Sequence, residues 1–309
     1  MTAVSVVLPV FNGEASLPLA IESILTQDID DWELILIDDA SSDSSADVIR
    51  RYASRDPRIS PIYHTENLGL TVSLNEGIAA ARSNLVARMD ADDESLPSRL
   101  RIQRDFMDAN PQVAVAGSWV YNMGASRAFD RLVRLPTSPI EVAETLPREN
   151  CIYHPSVMLR RDVVVAAGGY RTEFSNAQDY DLWLRLSRQH ALANIPEALL
   201  RYRFSVDGLT LGRKWEQVFE IHLAQAAASD PSISIEQASQ RARETLAAVD
   251  RTRFLMDVAL WNVRELVALR LWRDAVAVAT RFHKEIGFRA SVSLLARIGR
   301  VRIIGGEIA

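Results

Sequence analysis

Leu85-Val-Ala-Arg-Met-Asp-Ala-Asp-Asp93 decides the fold: five residues that suit a buried strand run directly into three carboxylates. The same signals recur upstream. Val4–Val10 reads as a buried strand, followed by the turn Asn12-Gly13 and a helical segment over about 16–27. Glu33-Leu-Ile-Leu-Ile37 reads as a second buried strand, and Asp38-Asp-Ala-Ser-Ser-Asp43 follows it. The acidic and hydroxyl residues of that stretch suit the N-terminus of a helix through about Ala53. Ile59–Tyr63 is a weaker strand, and residues 71–82 are helical, with Val72, Leu74, Ile78 and Ala81 among polar neighbours. Strands alternating with helices predict an α/β fold, a Rossmann-like mostly parallel sheet with helices on both faces.

Beyond residue 110 the pattern changes. Residues 113–120, 129–135, 156–159 and 199–204 read as strands without regular helices between them. From about Trp215 the chain is mainly helical, broken at Pro231. One helix face is expected to carry Phe254, Leu255, Val258, Trp261 and Leu266, and another Leu271, Ala275, Val278 and Phe282. The predicted organisation is an α/β domain over 1–210 and a mainly helical C-terminal extension over 211–309.

Composition excludes several classes. Of the 309 residues 48% are hydrophobic and 24% charged, so a disordered or low-complexity chain is ruled out. The single Cys151 allows no internal disulfide and no thiolate zinc site, which points to a reducing compartment. The apolar start lacks the basic flank and small-residue cleavage site of a secretion signal, and no run approaches the ~18 apolar residues of a membrane span. The expected location is therefore cytoplasmic. A net charge of −5 argues against a nucleic-acid partner. Residues 251–309 nevertheless hold 11 basic against 5 acidic side chains. Arg264, Arg270, Arg273, Arg297, Arg300 and Arg302 suit peripheral contact with an anionic membrane or a lipid diphosphate, and core packing of the same helices is the plainer alternative.

In open α/β sheets ligands bind beyond the carboxyl ends of the strands. Asp38 and Asp39, then Asp90, Asp92 and Asp93, occupy such positions, and Asp179 with Asp181 lie farther on. So many carboxylates together are costly without a cation or donors. The middle cluster therefore suits Mg²⁺ or Mn²⁺ bridging to a diphosphate. A helix-capping role is open for Asp38, Asp39 and Asp43, and a helix N-terminal role for Asp179 and Asp181.

Six stretches occur in one order: Val7-Leu-Pro-Val-Phe-Asn12, Leu36-Ile-Asp-Asp-Ala-Ser-Ser-Asp43, Asn67-Leu-Gly69, Asn75-Glu-Gly77, Met89-Asp-Ala-Asp-Asp93 and Gln178-Asp-Tyr-Asp-Leu-Trp-Leu-Arg185. Over roughly residues 3–210 the chain resembles the family 2 inverting glycosyltransferases of GT-A fold. The resemblance implies transfer of one sugar from a nucleoside-diphosphate sugar, UDP by default, to a hydroxyl on a carbohydrate or lipid-linked acceptor. It implies bacterial polysaccharide or glycolipid synthesis as the setting. Its donor side comprises Pro9, Val10 and Phe11 around the base or ribose, Asp39 on a base N–H, Asp90 toward the ribose, and Glu14, Asn67, Gly69, Arg82 and Ala91. Asp92 is implied as the metal ligand, Asp179 as the catalytic base, and His154 and Trp183 as acceptor-side residues.

The sequence departs from that family at Ser83, Gln178 and Ser205, where Gly, Glu and a metal-binding His are usual. The Gln-X-X-Arg-Trp signature of processive members is absent, which favours transfer of a single sugar. Two other readings stay open: a nucleotide-sugar-binding module without turnover, and a sugar-phosphate nucleotidylyltransferase. The second expects a Gly-rich phosphate loop with a basic neighbour, which Phe11-Asn-Gly-Glu14 does not supply.

Overall fold

The computed structural model describes residues 2–203 and 214–281, and these form two compact units. The first comprises residues up to Tyr121 together with Leu132–Arg203. Its first half alternates strands and helices: β1 (Val4–Val10), α1 (Leu17–Leu25), β2 (Trp32–Asp38), α2 (Ser45–Ala53), β3 (Ile59–Tyr63), α3 (Leu70–Ala80) and β4 (Leu85–Arg88). All seven residues of β1 and of β2 are buried, which is why these strands read as unbroken apolar runs rather than alternating ones. β1 pairs in parallel with β2 on one side, from Val4 opposite Trp32 to Val10 opposite Asp38, and with β4 on the other. The chain therefore winds outward from β1 through β2 and β3, then crosses back to β4. That reversal opens a crevice at the carboxyl ends of β1 and β4.

The second half adds β5 (Glu94–Ser95), α4 (Arg99–Ala109), β6 (Val113–Asn122), β7 (Arg131–Val133), α5 (Pro139–Thr145), β8 (Met158–Arg160), α6 (Arg161–Ala166), α7 (Gln178–Leu186) and β9 (Ala191–Tyr202). The strand order is β3-β2-β1-β4-β8-β6-β9-β5, with β8 antiparallel to β4 and β6 antiparallel to β8. The helices α4 to α7 correct the expectation of a middle region without regular helices. In α4 the buried face is Arg99, Leu100, Gln103 and Met107, so half of it is polar and no apolar stripe marks it. The strand expected over 129–135 is a single 3₁₀ turn, Arg127–Phe129, followed by the three-residue β7. The last expected strand begins earlier, at Ala191, and Phe204 lies outside the described residues.

The core on one face of the sheet joins Val4, Val6, Leu8 and Val10 to Leu17, Ile21 and Ile24 of α1. On the other face α3 lies against β1. Gly77 permits this approach, because a Cβ there would overlap the Val7 side chain and press on Ile37.

The second unit holds α8 (Lys214–Ser229), α9 (Ile235–Ala247), α10 (Arg251–Ala268) and α11 (Trp272–Arg281), together with Asn122–Arg131. Leu255, Ala259, Val263 and Leu266 of α10 pack on Ala275 and Val278 of α11. Trp261 departs from the expected stripe. It is 55% exposed, because the buried face turns through Ala259 and Val263 instead. Asn122 and Arg131 both reach Glu265, which ties their segment to α10. Phe282 and Arg297, Arg300 and Arg302 lie outside the described residues.

Candidate active site

The first wall of the crevice is built where β1 ends. Pro9 and Val10 are buried in the sheet, so Phe11, 54% exposed, is the apolar group left for a planar ligand. Asn12 turns the chain with φ +52°, a left-handed conformation that asparagine tolerates better than most residues. Its Oδ1 accepts from the Ser42 N–H at 2.8 Å, and its own N–H donates to Ser41 Oγ at 2.9 Å. The Gly13 and Glu14 N–H groups donate to Ser45 Oγ and Asp43 Oδ2, and Glu14 Oε2 accepts from the Ser44 N–H at 2.8 Å. The loop after β1 is thus stitched to the loop after β2, and Glu14 is committed to the start of α2. Gly13 also lies against Ala91, which brings this wall beside the acidic cluster.

Asp39 does not offer its carboxylate freely. Oδ1 accepts from the Leu68 N–H at 2.8 Å and lies 2.7 Å from His64 Nδ1, while Oδ2 accepts from the Gly69 N–H at 2.8 Å. Its oxygens hold the Asn67-Leu-Gly69 loop, and the base N–H expected of Asp39 would share Oδ2 with the Gly69 N–H. Among the described residues the Asp38 carboxylate receives one long bond, from the Ser41 N–H at 3.3 Å. Asn67 is exposed at the tip of the loop, and Gly69 sits at φ +87°, a conformation that favours glycine.

The Asn75-Glu-Gly motif explains itself on α3. Asn75 accepts from the Tyr170 N–H at 2.9 Å and donates to the Tyr170 carbonyl at 2.8 Å, clamping that backbone. Glu76 Oε2 lies 2.7 Å from His64 Nε2. Gly77 makes the contact with β1 described above.

At the end of β4, Asp90, Asp92 and Asp93 bring one carboxylate oxygen each within 4.8 Å of one another. The buried Arg88 grips Asp90 with both terminal nitrogens, at 2.7 and 2.5 Å. Arg203 binds the Asp92 carbonyl through Nε at 2.9 Å, and its N–H donates to Asp93 Oδ1 at 2.8 Å. Asp93 Oδ2 is buried and has no hydrogen-bond partner among the described residues. Burial and the charge of Asp90 push Asp92 up to about 6, against the pull of Arg203 and Arg88. Burial and both neighbouring carboxylates raise Asp93 well above the usual range. An orphaned buried oxygen in a crowded carboxylate set is the chemistry a hard divalent cation satisfies, so the residues fit one. Beneath the cluster Arg99 is fully buried, bonding the Arg88 carbonyl at 2.6 Å and Ser95 Oγ and Gln103 Oε1 at 3.0 Å. Burial lowers Arg99 to about 9, although Asp93 holds its charge in place.

Asp179 lies in the first turn of α7, half-buried, and its Oδ2 accepts from Asn150 Nδ2 at 2.8 Å. Burial raises its pKa, against the Tyr180 N–H, Asn150 and the charge of Arg88. Tyr170 links the two acidic regions, since the charges of Arg88, Asp179 and Asp90 all act on its buried phenol. Its hydroxyl lies 2.9 Å from His154 Nε2.

Two acceptor-side expectations and one donor-side expectation are corrected. Trp183 is 0% exposed and packs edge-on to His154 with ring centroids 6.0 Å apart, so it supports the floor rather than lining a pocket. His154 is buried too, and burial with the charge of Arg88 lowers its pKa well below the usual value, keeping the ring neutral. Arg82 stands at the opposite edge of the sheet, where Nε pairs at 2.6 Å with Glu33 at the start of β2. A phosphate at the carboxyl ends is out of its reach. Ser205, where a metal-binding His is usual, lies outside the described residues. Asn75 entered sequence reasoning only within the Asn75-Glu-Gly77 motif, and Arg88, Asn150, His64 and Tyr170 were given no site role. Of these, only Arg88 carried a signal, a cation inside an apolar strand next to the acidic cluster.

The family model for glycosyl transferase family 2 matches residues 5–166. The chain belongs to glycosyl transferase family 2. The amylovoran biosynthesis glycosyltransferase AmsE of Erwinia amylovora is 34% identical to it over 219 residues, 69% of this chain and 81% of AmsE. The O-antigen biosynthesis glycosyltransferase WbnJ of Escherichia coli is 32% identical over 204 residues, 65% of this chain and 79% of WbnJ. Among solved structures, S. aureus TarS 1–349 in complex with UDP superposes with a TM-score of 0.60 at 14% identity, covering 99% of this chain and 93% of that one. The mannosyltransferase PcManGT of Pyrobaculum calidifontis, in complex with GDP-Man and Mn²⁺, gives 0.56 at 18% identity, covering 98% and 81%. This family 2 member is an enzyme, a glycosyltransferase with the GT-A architecture that its motif order implied.

Proposed function

We propose that this glycosyltransferase transfers one sugar, with inversion and with the help of a divalent metal, from a nucleoside-diphosphate sugar to a hydroxyl acceptor. The names of AmsE and WbnJ support a bacterial surface polysaccharide as the setting. The observation that carries the reading is the unpartnered Asp93 oxygen among three converging carboxylates, with the raised carboxyl of Asp179 sharing the field of Arg88.

Phe11 offers a face for the nucleobase. Asp38, which among the described residues accepts only the Ser41 N–H, keeps an oxygen for a base N–H and stands beside Asp39 in that role. Uracil supplies such an N–H, which keeps UDP as the first donor to try. Asp90, Asp92 and Asp93 would hold Mn²⁺ or Mg²⁺, and the cation would supply positive charge to offset that of a diphosphate leaving group. Asp179 accepts the proton of the attacking hydroxyl, and its raised affinity for a proton suits it to that work. Asn150 orients its carboxylate. A single displacement with a single base inverts the anomeric centre.

A panel of UDP-, dTDP- and GDP-sugars, followed by thermal shift with Mn²⁺ and then by donor turnover, tests this. Asp179→Asn should bind the donor nucleotide as the wild type does and turn over about 10² to 10⁴ times more slowly. Unchanged turnover in that variant refutes the assigned base. A wild type that binds nucleotide tightly without turnover supports a binding module instead.

The protein is proposed to work in the cytoplasm. No helix among the described residues is long and apolar enough to cross a membrane. The exposed Trp261, Arg264 and Arg273 of the second unit support peripheral contact with an anionic lipid surface.

A further inference from the structure

His64 stands between two carboxylates and belongs to neither the metal cluster nor the proposed base. Its side chain is 5% exposed. Nδ1 lies 2.7 Å from Asp39 Oδ1, at the end of β2, and Nε2 lies 2.7 Å from Glu76 Oε2, on α3. Its N–H donates to the Asp38 carbonyl at 2.9 Å, so the ring is held at the carboxyl edge of the sheet. A neutral imidazole has one N–H and one lone pair, and the lone pair would then face a carboxylate. Only the imidazolium, with two N–H donors, satisfies both neighbours at once.

We propose that His64 is a positioning residue for the donor nucleotide: as an imidazolium it clasps Asp39 to Glu76 and thereby fixes the loop over residues 64–69. The path is short. The same Asp39 carboxylate that faces His64 accepts the Leu68 and Gly69 N–H groups. Leu68 is 44% exposed, and Asn67 is exposed beside it. The clasp therefore fixes the backbone that carries these two exposed side chains against Asp39, the neighbour of Asp38 in the chain. This role rests on the assignment of that edge to the donor.

The charged groups facing the ring are Asp39 from the end of β2 and Glu76 from α3. Burial opposes the charged ring, but the hydrogen bonds and charges of Asp39 and Glu76 outweigh it and raise the pKa above 6.5. A raised histidine stabilises the fold fully below its unfolded value, and that contribution is lost as pH rises through the folded value. The clasp is thus closed in mildly acidic solution and opens on the alkaline side of 6.5. With one N–H left, the ring keeps one carboxylate and releases the other, and donor affinity falls by about tenfold, the scale of one charge-assisted hydrogen bond.

The test has two arms, both on the full chain with Mg²⁺. In the first, NMR follows the His64 ring and the Leu68 and Gly69 amides from pH 5.5 to 9.5. The ring should titrate above 6.5, both amides should shift with the same midpoint, Glu76→Gln should lower that midpoint, and His64→Gln should abolish the shared shift. A ring titrating at or below 6.5, or amides indifferent to it, overturns the clasp. In the second arm, calorimetry measures UDP affinity over the same range. The wild type should weaken by about tenfold as pH rises through the ring's midpoint, and His64→Gln should lack that step. Identical pH profiles in the two proteins overturn the positioning role while leaving nucleotide binding intact. Absence of binding to UDP, dTDP and GDP at every pH refutes the donor reading itself and the positioning role with it. The amide titrations then still decide whether the clasp exists.

Discussion

Asp92→Asn should stabilise the metal-free protein while taking away most of its response to metal. Asp92 is raised from 3.8 to about 6 by burial and by the charge of Asp90. Ionising a carboxyl so displaced costs the folded state roughly 3 kcal/mol above pH 6, since each pH unit of displacement corresponds to about 1.4 kcal/mol. The sign follows from the direction. Because the folded value lies above the unfolded one, the penalty is absent below 3.8, grows between 3.8 and about 6, and is complete at neutral pH. An amide of nearly the same shape carries no such penalty. Without metal, the variant should therefore melt about 5 to 10 °C above the wild type at pH 7.5 and level with it near pH 4. With saturating Mn²⁺ the order should reverse, because the cation offsets the repulsion only where the carboxylate is present. Scanning calorimetry in EDTA and in Mn²⁺ at the two pH values reads all four quantities. A variant less stable than the wild type in EDTA at pH 7.5, or one that gains as much from Mn²⁺, would refute the claim that these carboxylates await a cation.

Three further expectations can be checked separately. Gly77→Ala places a Cβ into the Val7 side chain and should cost about 1 to 3 kcal/mol in denaturant unfolding, with donor affinity reduced because α3 is pushed from the sheet. Arg82→Ala should leave kcat and KM unchanged, since the guanidinium pairs with Glu33 at the far edge; a tenfold fall in turnover would return it to the site. Vesicles containing anionic lipid should float the full chain at low salt and lose it at high salt, and Trp261→Ala with Arg264→Ala should weaken the association. Equal flotation of the variant would show that this surface is not the contact.

The parallel strands and the acidic cluster were legible because each lay in one contiguous stretch. A strand buried on both faces announces itself as an apolar run, and in this topology its carboxyl end marks the ligand side. What escaped was whatever depended on partners distant in sequence. Helix α4 hides its inward face behind Arg99 and Gln103, which are buried because the Arg88 carbonyl, the Ala116 carbonyl and Ser95 wait for them. Asp39 gave no local sign that the Leu68 and Gly69 N–H groups would bond its carboxylate. Arg82 looked close to a phosphate because it follows a helix of the right domain, yet Glu33 draws it to the wrong end of the sheet. Trp183 sits four residues past Asp179, and on a helix that spacing said nearby while burial said inside.

Helix α3 devotes three successive residues to three different neighbours. Adjacent positions on a helix point about 100° apart. Asn75 thus grips the Tyr170 turn, Glu76 the histidine of the 64–69 loop, and Gly77 the central strand. A helix anchored on three sides can neither roll nor slide without breaking one attachment. The spacing between the 64–69 loop and the Tyr170 turn is therefore set by a single rigid rod. Attempts to re-engineer what the enzyme accepts have freedom in the loops at either end, but the rod between them must be left as it is.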